Sequence, residues 1–227
     1  MEKAGKPQFL SYEASLEFLH SCEENHNLIF QLFPKKHRIS ALDGNHQPVF
    51  DFRPPLPFPN MEAEENLEDY NFRVSPVMPS YVLVLIQAGA SALGYFVDGE
   101  PLHHKAIKKY MKRHKRGKSQ ISYLKTRGKS KAGSRIRLAN TVRFFEEINE
   151  RLTTYEEEYE PERMIYSCTA QLWGLLFQSK VPPPFEKKDP RLIKVPKDVN
   201  IPTYEELLNV NEFIQKGLLT VYQEGFI

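Results

Sequence analysis

The sequence contains few cysteines and no long apolar run. Its two cysteines, Cys22 and Cys168, lie far apart and have no partner cysteine or histidine at the spacing of metal ligands. Neither a disulfide framework nor a zinc site is therefore predicted, and both thiols are expected to be buried. No apolar stretch approaches the roughly 20 residues that span a bilayer, and Met1 to Leu10 is polar, unlike a secretion signal. We therefore expect a cytoplasmic, globular protein with no membrane partner.

Acidic residues are missing from one long interval. No Asp or Glu lies between Glu100 and Glu146, although this interval holds 15 of the 31 lysines and arginines. The other 16 basic residues stand against all 29 acidic ones, so the rest of the chain has a formal charge of −13. A solvated charged face usually mixes both signs, whereas a polyanion-binding surface requires one basic element. The pattern favours a nucleic acid or another polyanion as the partner.

The N-terminal third is predicted to be a small α+β extension, residues 1–79. Leucines and isoleucine at partial helical spacing predict a helix over Ser11 to Leu32, and Asp43-Gly44 between two short apolar segments predicts a hairpin. Residues 53–79 begin with "RPPLPFPNMEAEENLEDYN", four prolines followed by five acidic residues, which is typical of an exposed linker or long loop. A boundary is therefore expected there, with a second domain over residues 80–227.

Three strands are predicted from Tyr81 onward. "YVLVLIQ" is a continuous apolar run typical of a covered strand, and "ALGYFV" after it is a natural partner. Asp98-Gly99 then predicts a hairpin turn, with a third strand starting near Glu100. Residues 102–112 are ambiguous on pattern alone, since lysine and alanine disfavour strands.

Helices and strands alternate in the last third of the chain. Ser134 or Asn140 can cap a helix that runs to about Glu158 and carries Val142, Phe145, Ile148, Leu152 and Tyr155 on one face. "MIYSC" and "LIKVP" are predicted strands, Thr203 and Glu206 form the pattern of a capping box, and "LLTVYQ" is predicted as a final strand. Together with the three-strand antiparallel meander, this order predicts an α/β fold and excludes a doubly wound parallel sheet.

The segment "HKRGKSQISYLKTRGKSKAGSR", residues 114–135, joins the third strand to the long helix. Connections of that length are uncommon in a compact domain unless they are functional or disordered. Its two Gly-Lys-Ser triplets are not phosphate-binding P-loops, because Lys112 and Tyr123 stand where each motif needs another glycine. A helix start at Ser134, with Arg135 and Arg137 in its first turn, would suit a bound anion.

These segments carry a resemblance to a known family. "RGKSQ", "RGKSKAGSRIRLANTVRFFEEINERL", "DPRL" and "PTYEELLNV" resemble the Vms-like release factor family, whose catalytic domain is related to the central domain of eukaryotic and archaeal class 1 peptide release factors. The resemblance covers about Ser80 to Tyr222 and leaves residues 1–79 unexplained. It implies an RNase H-like α/β fold in which residues 102–112 are strand, and action on tRNA held in the large ribosomal subunit. With no zinc finger, ankyrin repeat or long helical tail visible, we expect a bacterial stand-alone version.

The resemblance also implies the roles of individual residues. Gln120 takes the position of the glutamine that enters the peptidyl transferase centre, so Gln120, with Ser119 and Gly117, is the expected catalytic element. Docking to rRNA and peptidyl-tRNA is expected from Lys112, Arg113, Lys115, Arg116, Lys118, Lys125, Arg127, Lys129, Lys131, Ser134, Arg135 and Arg137. Gly128, Gly133 and Asn140 are expected to shape the loop. No metal and no cofactor are expected. His103, His104 and His114 are interpreted as hydrogen-bond donors to phosphate or as surface residues.

One departure from the family pattern leaves alternatives open. Ordinary release factors have two glycines before the glutamine, whereas this chain has Lys118-Ser119. Because serine lacks the backbone freedom of glycine, the same water-positioning geometry cannot be assumed. Peptidyl-tRNA ester hydrolysis is the expected reaction. Endonucleolytic cleavage near the tRNA 3′ CCA end is the alternative chemistry, and a non-catalytic rRNA- or tRNA-binding module is the alternative class.

Overall fold

A computed structural model describes residues 7–110 and 129–223, with the backbone alone described over residues 129–138. Its strands are β1 Gln8–Leu10, β2 Ile29–Phe33, β3 Arg38–Leu42, β4 Pro48–Arg53, β5 Tyr81–Gln87, β6 Ala90–Val97, β7 Glu100–Lys108, β8 Arg163–Ser167, β9 Leu192–Lys194 and β10 Gly217–Val221. Its helices are α1 Tyr12–Glu23, α2 Leu67–Arg73, α3 Lys129–Tyr159, α4 Ala170–Phe177 and α5 Tyr204–Ile214, and Pro34–Lys36 forms a 3₁₀ turn.

One of the two sheets is mixed, with strand order β7-β6-β5-β8-β9. Strands β5, β6 and β7 form an antiparallel meander, and β8 and β9 run parallel to β5. The predicted α/β class and the three-strand meander are confirmed. The strand implied at residues 102–112 is confirmed as far as Lys108, whereas residues 109 and 110 are not strand and residues 111 and 112 lie outside the described residues. The hairpin between β6 and β7 turns at Asp98 and Gly99, both with positive φ (50° and 79°), as a two-residue turn of this twist requires.

Two apolar cores lie on opposite faces of this sheet, because successive side chains of a strand point to opposite sides. Val82 and Val84 of β5 pack in the core that includes Phe144 and Ile148 of α3. Leu83 lies in the other core, beneath α5. Of the helix face predicted from the sequence, Phe145, Ile148, Leu152 and Tyr155 are buried, whereas Val142 is 38% exposed.

The second sheet has strand order β1-β10-β4-β3-β2. The predicted hairpin is confirmed as β3 and β4. The predicted final strand is β10, which pairs antiparallel with both β1 and β4, so the end of the chain returns to the N-terminal sheet. The helix predicted over Ser11 to Leu32 is wrong beyond Glu23, because residues 29–33 extend and pair with β3 along their whole length.

The proline-rich segment after β4 is buried, which corrects the predicted exposed linker. Residues 54–59 are all buried, and Leu56 (0% exposed) belongs to the core beneath α5. The Leu56 amide donates to the Ile214 carbonyl at 2.8 Å. Proline has no amide hydrogen, so burying several of them leaves few donors that need a partner. The division at residues 79 and 80 stays a prediction.

The long helix begins earlier than the sequence predicts. Helix α3 starts at Lys129, so neither Ser134 nor Asn140 is its N-cap, and the proposed anion site at a Ser134 helix start is wrong. Gly133 lies inside the helix. Glycine destabilises a helix interior by roughly 1 kcal/mol relative to alanine, so the sequence did not predict a helix through this position. At α5 the Thr203 hydroxyl caps the Glu206 amide at 3.1 Å, but the Glu206 carboxylate accepts from the Asn200 amide instead of closing the capping box.

Candidate functional site

The predicted site residues fall in three places. Gly117, Ser119, Gln120 and the docking residues Lys112, Arg113, Lys115, Arg116, Lys118, Lys125 and Arg127, with Gly128, lie outside the described residues. The backbone of Lys129, Lys131, Gly133, Ser134, Arg135 and Arg137 forms the first turns of α3. Asn140 is described in full, one turn further along the helix. The described part of the candidate site is therefore the base from which residues 111–128 leave and return.

The two ends of this base are joined by side-chain and backbone contacts. The Lys109 amide donates to the Gly89 carbonyl at 2.9 Å, which holds the end of β7 beside the β5–β6 turn. The Asn140 Nδ2 donates to the Tyr110 carbonyl at 3.0 Å, and the Lys109 Nζ lies 2.5 Å from the Glu147 Oε1. Helix α3 is thus fastened to the chain immediately before residue 111.

We expect Asn140→Ala to lower the free energy of unfolding by about 0.5–1.5 kcal/mol, because the Tyr110 carbonyl loses its donor. Asn140→Asp is expected to cost at least as much, since an ionised carboxylate cannot donate. The matched control is Asn209→Ala, in an exposed position of α5 without a side-chain partner among the described residues, and it should be neutral or stabilising. Denaturant unfolding measures all three, and equal effects of Asn140→Ala and Asn209→Ala would contradict the role of this hydrogen bond.

Strand β7 forms a basic edge of the mixed sheet. It pairs with β6 on one side only, and His103, His104, Lys105 and Lys108 along it are exposed. Neither Lys105 nor Lys108 has an acidic partner among the described residues, while Lys109 is neutralised by Glu147. This edge runs directly into residue 111. Lys105 and Lys108 therefore lie close in sequence to the predicted docking residues, which did not include them.

Aromatic rings support the two histidines of this edge. His103 stacks on Tyr159 of α3 with ring centroids 5.4 Å apart, and Tyr159 in turn stacks on Tyr95 at 4.5 Å. His104, on the opposite face of the strand, stacks on Tyr204 of α5 at 3.8 Å. Both imidazoles are held against α3 and α5 while their outer surfaces face solvent. Hydrogen bonding of these two histidines to phosphate stays a prediction.

Acidic groups near the other end of α3 are engaged in an ion-pair cluster. Arg191 lies 2.9 Å from both Glu156 and Asp189. The hydrogen bonds that Arg191 donates hold the pKa of Asp189 below its usual value, and the Asp189 and Glu156 carboxylates that accept them raise the pKa of the arginine. This cluster fixes the C-terminal part of α3 to the segment before β9, so Glu156 stabilises the packing of that end of the helix.

The remaining reactive side chains offer no second chemistry in the described part of the chain. Cys22 and Cys168 are free and buried, as predicted, and burial raises the pKa of each thiol to about 12, so both are neutral near pH 7. No group of three or more His, Cys, Asp or Glu residues there could hold a metal ion. No helix of residues 7–110 or 129–223 is long and apolar enough to cross a bilayer.

Comparison with known proteins identifies a family for the part of the chain that begins with β5. The model of the family described as Bacteroidetes VLRF1 release factor matches residues 81–222. A search of curated protein sequences found no match. A solved structure titled "Vms1 mitochondrial localization core" is similar with a TM-score of 0.45 and 16% identity, over 94% of this chain and 85% of that one. The family match begins with β5, encloses residues 111–128 and ends after β10.

Proposed function

The chain belongs to the Bacteroidetes VLRF1 release factor family, and from this premise we propose that it is a ribosome-associated release or rescue factor. It frees nascent chains from tRNA on stalled large subunits by hydrolysing the peptidyl-tRNA ester, with Gln120 as the catalytic residue. Its partners are the large ribosomal subunit, its rRNA and peptidyl-tRNA. The observation that carries this proposal is the family match over residues 81–222, which encloses the glycine-x-x-glutamine element.

The chemical step needs a positioned water and a donor for the developing oxyanion. Water adds to the ester carbonyl, the bond from the carbonyl carbon to the ribose oxygen breaks, and the products are a peptide carboxylate and a free tRNA hydroxyl. A neutral carboxamide such as Gln120 can orient the water and donate to the oxyanion, and it has no proton to lose near pH 7. Ser119 and Gly117 complete the proposed catalytic element.

The described residues support this role through the base of the loop. Asn140 and Lys109 fasten α3 to the end of β7, so residues 111–128 leave and return at a fixed place. The exposed cations of β7 extend the docking charge toward that place. The order of three antiparallel strands followed by two parallel ones supports an RNase H-like fold, as the resemblance implies.

Cleavage near the tRNA 3′ CCA end is the second candidate activity, and the Lys118-Ser119 pair before Gln120 favours it. In that reaction a ribose 2′-hydroxyl loses its proton and attacks the adjacent phosphorus, and the bond to the 5′-oxygen of the next nucleotide breaks. That oxygen takes up a proton, so the products are a 2′,3′-cyclic phosphate and a free 5′-hydroxyl. The lysines and arginines of the loop would neutralise the charge that develops on the phosphate. No metal is required.

Product analysis separates the candidates. The full chain is mixed with ribosomal complexes that carry peptidyl-tRNA labelled in both the peptide and the tRNA. Freed peptide with full-length tRNA supports the proposed hydrolase. A shortened tRNA with the peptide still attached to its 3′ fragment identifies a nuclease, and binding without any product identifies a non-catalytic module.

Binding to the ribosome should depend steeply on salt. Each phosphate contact made by a lysine or arginine releases counterions, so several such contacts are expected to weaken affinity at least tenfold between about 50 and 200 mM monovalent salt. Sedimentation or fluorescence anisotropy with large subunits measures this decline. A flat response would contradict docking through the basic loop.

A further inference from the structure

A cavity of about 1090 Å³ opens at the other half of the mixed sheet. It lies at the carboxyl ends of β5, β8 and β9, which run parallel, and Gln87, Ser167 and Val195 form part of its wall. The chain places β6 and β7 on one side of β5 and later adds β8 and β9 on the other. The boundary between β5 and β8 is therefore a topological switch point, the place where open α/β sheets bind ligands.

The cavity is lined by unpaired positive charge. Lys35 and Lys36 reach it from the 3₁₀ turn, and Lys194 and Lys197 from β9 and the residues after it. None of the four has a carboxylate within ion-pair distance among the described residues, although Lys197 lies 4.6 Å from the centre of the Phe213 ring. Asp198 is the one acidic residue of the lining. Two of the lysines lie in the turn between β2 and β3 and two lie at or just after the end of β9, and together they give the lining a net positive charge.

Helix α4 points its N-terminus at the same cavity. Its N-cap Thr169 is part of the lining, and the Thr169 hydroxyl accepts from the Leu172 amide at 3.4 Å. The first amide groups of a helix have no carbonyl partner within it, and the helix dipole places partial positive charge at this end. An anion in the cavity would thus meet backbone donors as well as lysines.

His37 adds an unused polar group to the wall. The side chain is 6% exposed, and its Nε2 is 3.3 Å from the Pro55 carbonyl, so Nε2 carries the proton and donates. Burial lowers the pKa of His37 to about 4, which leaves the ring neutral near pH 7. The Nδ1 is then an acceptor without a partner among the described residues. Because the Nδ1 is itself buried, the lysines and the α4 N-terminus, and not this nitrogen, are the groups that would meet a ligand.

The cavity and the end of β7, where the base of the loop begins, lie at the same edge of the sheet. Ala90 pairs with Gln87 of β5 on one side and with Lys108 of β7 on the other, so both strands end together. Two strand spacings, or ~10 Å, separate the end of β7 from that of β5. A single nucleic-acid strand can therefore contact this edge and the cavity at once.

We propose that this cavity binds backbone phosphates of an RNA strand that also contacts the base of the loop at β7. The lysines and the α4 N-terminus hold phosphate groups, and the absence of any aromatic side chain other than His37 from the lining favours the backbone over a stacked nucleobase. The choice of RNA as the occupant rests on the proposed function, but the site uses residues outside the loop and holds whether or not a bond is cut.

Lysine footprinting tests the proposal directly. The full chain is labelled with an amine-acylating reagent with and without a short unstructured RNA, and modified lysines are identified by mass spectrometry. We expect RNA to protect Lys36 and Lys194, while the exposed Lys180 and Lys188, which lie outside the lining, keep their labelling. Unchanged labelling of Lys36 and Lys194 would overturn the proposal. So would equal protection by inorganic phosphate or uridine monophosphate, since the site would then take a small anion.

A paired set of variants measures the contribution of these lysines. The double variant Lys36→Gln, Lys194→Gln is tested for its affinity for the same short RNA at several salt concentrations. The slope of log affinity against log salt is expected to fall by about 1.4, or ~0.7 for each single-strand phosphate contact that is lost. Lys180→Gln with Lys188→Gln, the matched control, is expected to leave the slope unchanged. All four side chains are exposed, so unfolding midpoints should stay the same. Equal slopes for both pairs would overturn the proposal even if peptide release by the protein were intact.

Discussion

Gln120→Ala is expected to reduce the maximal rate of peptide release by about 10²-fold or more, the usual loss when one preorganised oxyanion donor is removed. The carboxamide serves the reaction only while the ester is being attacked, so its loss should leave binding to the large subunit unchanged. Single-turnover release at saturating protein measures the rate, and sedimentation with large subunits measures binding.

Two variants serve as controls for this effect. Lys118→Ala removes an adjacent cation and is expected to raise the concentration for half-maximal release without changing the maximal rate. Gln178→Ala makes the same chemical change at the end of α4, where the side chain is exposed, and should be silent. Full activity of Gln120→Ala would contradict the catalytic assignment even if release by the unmodified protein were confirmed.

Leu56→Ala is expected to lower the free energy of unfolding by about 2–5 kcal/mol, the usual cost of such a truncation in a packed core. Leu56 is fully buried, although it lies in the proline-rich segment, and it packs in the core beneath α5. The single tryptophan, Trp173, stacks on Tyr166 of β8 at 4.1 Å and reports unfolding of the mixed sheet. Its fluorescence midpoint in denaturant should therefore shift, although the mutation lies outside residues 80–227.

Leu102→Ala is the matched control for this measurement, because Leu102 is 55% exposed on β7 and should change stability by less than about 0.5 kcal/mol. If Leu56→Ala moved a far-ultraviolet transition but left the Trp173 midpoint in place, the two sheets would unfold independently. That result would contradict the packing of the proline-rich segment as part of the core of the mixed sheet.

Local signals were sufficient for much of the mixed sheet. The apolar run of β5 favours a buried strand, and Asp98-Gly99 favours a hairpin turn. The tertiary structure agrees with both local preferences, so the meander was predictable. The strand at residues 102–108 was not decided by local preference, since its lysines and histidines disfavour a covered strand. It is tolerated because β7 is an edge strand whose charged side chains stay in solvent.

Elements that depend on distant partners could not be predicted. Strand β10 was recognised as a strand, but nothing in its sequence indicates that it pairs with β1 and β4 rather than with the nearer sheet. The burial of residues 54–59 depends on a fit against α5, and the early start of α3 overrides the local effect of Gly133. For β10 and for residues 54–59, a contact between remote segments outweighs a weak local preference.

The candidate site shows the same contrast. Gln120 and the loop cations could be predicted from charge, spacing and the family resemblance, and their roles remain predictions. Asn140 was expected from the resemblance to shape the loop, but its contact with Tyr110 could not be predicted, because the two residues are 30 positions apart and meet only when α3 packs on β7. The lysine-lined cavity left no signal in the sequence, since Lys36 and Lys194 are two ordinary surface lysines until β9 and the 3₁₀ turn come together.

Isotope incorporation during release tests the central claim most directly. Ribosomal complexes with peptidyl-tRNA are incubated with the full chain in water enriched in ¹⁸O, and the peptide product is analysed by mass spectrometry. Ester hydrolysis by a positioned water predicts a free peptide whose new C-terminal carboxylate carries one heavy oxygen. A peptide still esterified to a short 3′ fragment of tRNA, with no heavy oxygen in its carbonyl group, would contradict hydrolysis and assign the cut to the tRNA backbone.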